Sequence, residues 1–233
     1  YDARKQINNW QGNGGVWATA KPAVSVQGPL GKLKGQLQPG VEITKIVKPV
    51  KITKVKPGVY LADMAQNFAG VARIRLKAAA GTKVTLRYGE EVYKDGSLNG
   101  MTTVAGQVKN GNGGPGAPEI AWQEDSYIAA GKGVETWNPR FTFHGFRYIE
   151  IKGWSGVPQL SDIEGLRMSA AVAETGTFVC ANPMFNKLAE NIRWTFLSNL
   201  FSVQSDCPAR EKFGYGGDMF CTTEAFSYNF DMA

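Results

Sequence analysis

Gly70-Val71-Ala72-Arg73-Ile74-Arg75-Leu76-Lys77, the turn residues Ala80-Gly81-Thr82 and then Lys83-Val84-Thr85-Leu86-Arg87-Tyr88-Gly89-Glu90 decide the fold class. Successive side chains of a strand point to opposite faces, so a period of two separates an apolar face from a solvated one. That period turns Ile74 and Leu76 inward and Arg73 and Arg75 outward. Toward the N-terminus the pattern recurs in short pieces at 43–47, 50–53 and, after Lys56-Pro57-Gly58, at 59–63. Toward the C-terminus it recurs at 126–129, 135–137 and in the aromatic run 141–151. Short strands separated by Gly and Pro turns, without a helical period between them, predict an antiparallel β-sandwich, here expected over residues 44–175. The Gly-rich stretch 106–118 has the composition of a long surface loop, not of a packed element. Residues 1–43, rich in Gly, Pro, Asn and Gln, read as the end of a preceding β domain and a linker.

The pattern changes near residue 180. Asn182-Pro183 reads as a helix start, with Asn182 as N-cap and Pro183 at the first helical position, where its missing N–H costs nothing. Leu188, Ile192 and Phe196 then repeat at four-residue spacing, predicting a helix to about residue 200. A second helix is expected from about Asp218, carrying Phe220, Ala225 and Phe226.

Composition excludes several classes. With 43% hydrophobic and 20% charged residues over 233 positions, the chain is neither a disordered tail nor a disulfide-stapled miniprotein. No apolar run approaches the roughly 18 to 20 residues of a spanning helix, so a soluble chain without a membrane partner is expected. The net charge of +6 is unevenly placed: in residues 1–60 ten basic residues face only Asp2 and Glu42, and the rest of the chain is slightly acidic. Those lysines alternate with β-branched residues, as in Lys45-Ile46-Val47-Lys48, and lack the stacking aromatics or recognition helix of a nucleic-acid reader. They read as solvated strand faces that discourage edge-to-edge pairing, and no nucleic-acid partner is expected. Cys180, Cys207 and Cys221 have no CxxC spacing, which argues for buried free thiols and against a disulfide framework or zinc site. His144 is the single histidine, beside Gly145 in the aromatic run, and reads as a structural residue at a bulge. No metal and no cofactor are expected. The chain starts without Met and stops inside a periodic pattern at Phe230-Asp231-Met232-Ala233, so both ends read as cut.

The segment between the helices carries the chemistry. Asp206, Glu211 and Asp218, with Arg210 and Tyr215, lie in one Gly-rich stretch that can fold back on itself. Carboxylates converging on one pocket raise the proton affinity of at least one of them, and a carboxyl group protonated near neutral pH is what a glycosidic oxygen needs as general acid. An aromatic ring such as that of Tyr215 offers a flat surface to a sugar, and Arg210 can donate paired hydrogen bonds. Spacing alone somewhat favours a plain helix connection, with Asp218 capping the second helix and Arg210 paired to Asp206. Trp194 and Phe201 read as core packing ahead of a sugar subsite, Asp63, Gln66 and Asn67 as a polar loop of the sandwich, and Cys207 as no nucleophile.

The run Asp206-Cys207-Pro208-Ala209-Arg210-Glu211-Lys212-Phe213-Gly214-Tyr215-Gly216-Gly217-Asp218 resembles the signature of bacterial α-L-rhamnosidases, glycoside hydrolase family 78. Tyr1-Asp2-Ala3-Arg4, Lys56-Pro57-Gly58-Val59-Tyr60, Asp63-Met64-Ala65-Gln66-Asn67-Phe68-Ala69-Gly70 and Pro139-Arg140-Phe141-Thr142-Phe143-His144-Gly145-Phe146-Arg147-Tyr148 are similar to the same family, in order along nearly the whole chain.

The resemblance implies a multidomain enzyme in which an antiparallel β-sandwich is followed by an (α/α)6 barrel holding the active site, with 176–233 supplying only its first helices. It implies Glu211 as general acid and Asp206, Arg210 and Asp218 as residues that hold the rhamnose and tune the acid. Tyr215 stands where many members have Trp, keeping a ring surface for the sugar, and Gly216-Gly217 departs from the commoner Thr-Gly. The implied reaction is the inverting release of terminal α-L-rhamnose from glycans or glycosides, so the implied partner is a carbohydrate. An inverting enzyme needs a second carboxylate about 6.5 to 9.5 Å from the acid, and the family takes it from a later barrel loop. The chain by itself is therefore expected to be inactive. The alternative is a non-catalytic carbohydrate-binding or structural β-sandwich whose helical tail is a docking element.

Overall fold

The computed structural model describes residues 1–7, 21–104 and 120–232; the Gly-rich stretch 106–118 lies outside them. In chain order the strands are β1 (Val41–Val47), β2 (Lys51–Lys56), β3 (Val59–Lys77), β4 (Lys83–Gly89), β5 (Glu91–Val92) and β6 (Leu98–Asn99). Then come β7 (Glu124–Ile128), β8 (Val134–Trp137), β9 (His144–Lys152), β10 (Ile163–Ala170), helix α1 (Pro183–Ser198), β11 (Leu200–Phe201), β12 (Val203–Gln204) and helix α2 (Gly216–Asn229).

The long strand β3 organises the sheet, because its two halves pair with different neighbours. Val59–Asp63 runs between β2 and β9, whereas Gly70–Lys77 runs against β10 and then β8. The eight-stranded antiparallel sheet has the order β1-β10-β3-β9-β4-β7, with β2 and β8 branching from β3. This branching gives the expected antiparallel sandwich the form of a half-barrel. The sequence pattern divides β3 into two strands, but a bulge carries the chain through. Register shifts between Asp63 and Phe68, and Ala65 takes a left-handed φ of 58° with its N–H donating to Asp63 Oδ1 at 2.8 Å. Arg147 donates to both oxygens of that carboxylate, at 2.9 and 3.0 Å, and holds it below the ordinary carboxylate range. Asp63 thus has a structural partner in the bulge.

Period two holds where one face is wet. Ile74 and Leu76 are buried while Arg75 is exposed, and Val84, Leu86 and Tyr88 alternate with Thr85 and Arg87 in β4. With Phe68, Phe146, Ile149 and Ile151 these side chains form one core, at about 1.5 to 3 kcal/mol for each large side chain removed from water. The lysines of β1 and β2 are exposed, and β1 is an edge strand. The sequence pattern misses β10, which lies between β1 and β3 with α1 packed across it. Burial on both faces erases its alternation: Ile163, Gly165, Leu166, Ser169 and Ala170 are all buried. β9 starts at His144 and not at 141, because Phe141 is left-handed (φ 62°) and fully exposed. Near the N-terminus Ala3 joins the core, and Tyr1 stacks on Tyr127.

The helix start is as read: Asn182 Oδ1 accepts from Met184 N at 2.9 Å, and Pro183 opens α1. Trp194 packs toward Phe68 with Lys45 and Arg167 over its ring, and Ser198 Oγ accepts from the buried Ala69 N–H at 3.2 Å. α2 begins at Gly216 and meets α1 through a Phe196–Phe226 stack at 4.1 Å and a 3.1 Å bond from Arg193 to Asn229. The outer stripe stays open: Leu188 is 52% exposed, Ile192 37% and Phe220 88%. All three cysteines are free, but the expectation of burial is corrected. Cys221 is exposed and Cys180 and Cys207 are half-buried, since all three lie in the helical tail, outside the sandwich core. Among the described residues no helix is long and apolar enough to cross a membrane.

Candidate active site

After α1 the chain makes the hairpin β11–β12, turning at left-handed Ser202 (φ 70°), and then the loop 205–215 that leads into α2. The loop closes on itself. Asp206 N donates to Phe213 O at 2.9 Å, and Phe213 N returns a 2.9 Å bond to Asp206 Oδ1. Inside this clasp the N–H of Glu211 donates to Cys207 Sγ at 3.2 Å, across the turn 208–211. Burial pushes the Asp206 carboxyl pKa up, but hydrogen bonds from the Cys207 thiol and the Phe213 N–H outweigh it and leave it below the ordinary range. The expected mutual repulsion therefore does not raise Asp206; its bonding within the loop keeps it an anion.

Glu211 is exposed, and its carboxylate accepts from Tyr215 Oη at 2.7 Å, which pushes the phenol pKa up. The Tyr215 ring tilts against Phe213 at 4.9 Å and remains open to solvent. Arg210 is exposed, and among the described residues it forms no ion pair with Asp206. Asp218 sits in the first turn of α2, and position 215, not 218, caps the helix. Neither feature of the plain helix connection is present. The loop thus brings together Asp206, Glu211 and Tyr215, while Arg210 and Asp218 flank them. Among the described residues no three His, Cys, Asp or Glu side chains are placed to hold a metal ion.

The sandwich holds this loop from below. Lys212, left-handed at φ 54° and half-buried, donates from Nζ to Phe143 O at 2.6 Å and reaches Gln123 Oε1 at 3.4 Å. Its ammonium lies 4.2 Å from the centre of the Phe143 ring, which stacks on Phe201 at 3.8 Å. Burial draws the lysine pKa down, against the pull of the Asp125 charge. His144 is hydrogen-bonded as a structural residue, but in regular register opposite Gly70 and not at a bulge: Nδ1 meets Gln123 Oε1 at 2.8 Å and Nε2 meets Asp125 Oδ2 at 2.9 Å. Tyr88 Oη also donates to Asp125 Oδ2, at 2.8 Å, and its ring stacks on the imidazole. A cleft of about 1070 Å³ lies elsewhere, between the N-terminal segment and β7–β8, lined by Tyr1, Tyr127, Trp137 and Phe141 and by no residue of the loop.

Residues 53–169 match the bacterial alpha-L-rhamnosidase concanavalin-like domain, and residues 173–233 match the bacterial alpha-L-rhamnosidase six-hairpin glycosidase domain. The chain belongs to the bacterial α-L-rhamnosidase family. It is 35% identical over 97% of its length to an alpha-L-rhamnosidase of Streptomyces avermitilis, of which it covers 21%. Among solved structures it superposes on the alpha-L-rhamnosidase from Dictyoglumus thermophilum with a TM-score of 0.89 and 38% identity, covering 100% of this chain and 25% of that one. It superposes on the Streptomyces avermitilis alpha-L-rhamnosidase complexed with L-rhamnose with a TM-score of 0.84 and 34% identity, covering 99% of this chain and 21% of that one. The chain spans about a fifth to a quarter of the length of these rhamnosidases.

In this chain the boundary between the two family domains falls just after β10, and the signature loop lies beyond it, in the helical part. Sequence reading had no role for Lys212, Gln123 or Phe143. Lys212 lies 69 residues from Phe143 and 89 from Gln123, and meets them only when the helical part docks on the sheet. The one available signal was a lysine directly after Glu211 with no acidic residue nearby on its C-terminal side until Asp218.

Proposed function

We propose that this chain supplies the general acid and part of the rhamnose site of an inverting α-L-rhamnosidase, which releases terminal α-L-rhamnose from glycans or glycosides. The observation that carries this reading is the exposed Glu211 carboxylate, presented on a self-closed loop with Tyr215 Oη at 2.7 Å as its hydrogen-bond partner. Glu211 gives its proton to the glycosidic oxygen as the bond to the sugar breaks, so the leaving group departs as an alcohol. Asp206, held as an anion, and the exposed Arg210 accept from and donate to sugar hydroxyls. The Tyr215 ring offers a stacking face, and Asp218 lies at the positive end of α2, where a carboxylate is favoured. The base that deprotonates water on the far face of the sugar comes from outside this chain. The rhamnose bound by the Streptomyces avermitilis relative supports the choice of sugar.

The test is Glu211→Gln in the complete enzyme. Turnover of rhamnosides with sugar or alkyl leaving groups should fall by about 10² to 10⁴, with much less loss on an activated phenol that needs little protonation. Equal loss on both would remove Glu211 from the acid role.

A further inference from the structure

We infer that Lys212 is the positioning residue of Glu211: tied to the main chain of the sandwich at Phe143, its ammonium fixes where the neighbouring carboxyl meets the glycosidic oxygen. This rests on the reading of Glu211 as general acid. The loop's other hydrogen bonds are largely internal or run to its own hairpin and the end of α1, so they preserve its shape without fixing it against the β domain. Lys212 does the latter. Its Nζ bonds Phe143 O at 2.6 Å, and Gln123 Oε1 lies at 3.4 Å. Gln123 is itself held by His144, which Asp125 orients through the other ring nitrogen. The tether therefore ends in a part-buried hydrogen-bonded network anchored by the buried His144.

Two features need an explanation beyond packing. A half-buried ammonium without a carboxylate in ion-pair contact is costlier than an apolar side chain filling the same space, and Lys212 has such a contact with none of the described residues. Its backbone is also left-handed at φ 54°, a conformation that a non-glycine residue keeps only where its surroundings hold it. Together they turn adjacent side chains to opposite duties: Lys212 reaches into the sandwich while Glu211 stays open beside Tyr215. A displacement of about 1 Å at a catalytic group can cost about 100-fold in rate, so such a tether has a kinetic consequence.

The experiment compares Lys212→Met, Glu211→Gln and the double variant in the complete enzyme, on a rhamnoside with a sugar leaving group and on one with an activated phenol. Lys212→Met should lower kcat on the sugar leaving group by about 10- to 100-fold, with KM nearly unchanged and a smaller loss on the phenol. In the Glu211→Gln background it should have no further effect, because its action passes through Glu211. Lys212→Arg, which keeps a cationic donor, should recover most of the loss. If Lys212→Met does not fold, Lys212→Gln, which keeps an N–H without the charge, carries the same comparison. Undiminished turnover, equal loss on both leaving groups, or full additivity in the double variant overturns the inference. Glu211→Gln without a leaving-group difference overturns the acid reading itself, and the two failures are thereby told apart.

Discussion

Gly145 of β9 lies directly against Pro208 of the signature loop: a Cβ at position 145 would stand 2.9 Å from Pro208 Cγ and 3.1 Å from Ala209 Cβ. A ring carbon and a buried alanine cannot swing aside as a flexible side chain does, so the loop seats on the strand because residue 145 has no side chain. Gly145→Ala should displace the loop while leaving the sandwich folded. In the complete enzyme, turnover should fall by about tenfold, with at most about 1 to 3 kcal/mol lost in denaturant unfolding. Wild-type turnover would mean that the loop is not seated by this contact.

Asp206 predicts an acid limb of stability. Its folded pKa lies below the ordinary carboxyl value, so the native state favours the anion. The contribution is fully present above the unfolded pKa of about 4 and is lost as pH falls through the lower folded value. Asp206→Asn should remove that contribution. Unfolding curves of the two proteins from pH 7 to pH 3 should differ by a constant amount above about pH 5 and converge below about pH 4.

The hydrogen-bonded network under the loop predicts a cost in stability. Asp125 Oδ2 accepts from both Tyr88 Oη and His144 Nε2, and Tyr88 and His144 are both buried. Asp125→Leu leaves those donors without an acceptor, at about 1 to 3 kcal/mol each. Denaturant unfolding should show that loss. A neutral result would mean that water or another acceptor replaces the carboxylate.

The 233-residue chain alone should show no multiple-turnover rhamnoside hydrolysis, because one carboxylate cannot both protonate the leaving group and activate water on the opposite face. Its helices should also bind an apolar dye, given the exposed Leu188, Phe220 and Tyr228. Sustained sugar release that disappears with Glu211→Gln would show a complete site within the chain.

Several elements are legible in the amino-acid order because their cause is local. The alternation of 70–77 and 83–90, the Asn182-Pro183 helix start and the Asp206-to-Asp218 run each depend on neighbours within a few residues. Dihedral preference, side-chain period and capping act at that range. Asp206, Glu211 and Tyr215 were also readable as a group, since one loop contains them all.

Long-range contacts decided the rest. Two predicted strands fused into β3 because Arg147, 84 residues away, holds the Asp63 carboxylate at the bulge. β10 had no readable period because α1 covers a face that water would otherwise have marked with polar residues. The proton affinity of Asp206 was not raised, since its carboxylate is bonded to Cys207 and to the Phe213 N–H. The sequence by itself determined the local elements and which polar and aromatic residues share the loop; only the tertiary structure decided what that loop stands on. Lys212 finds Phe143 O, and Pro208 finds the bare backbone of Gly145, only once the helical part has docked on the sheet, and no local preference encodes a meeting across that distance.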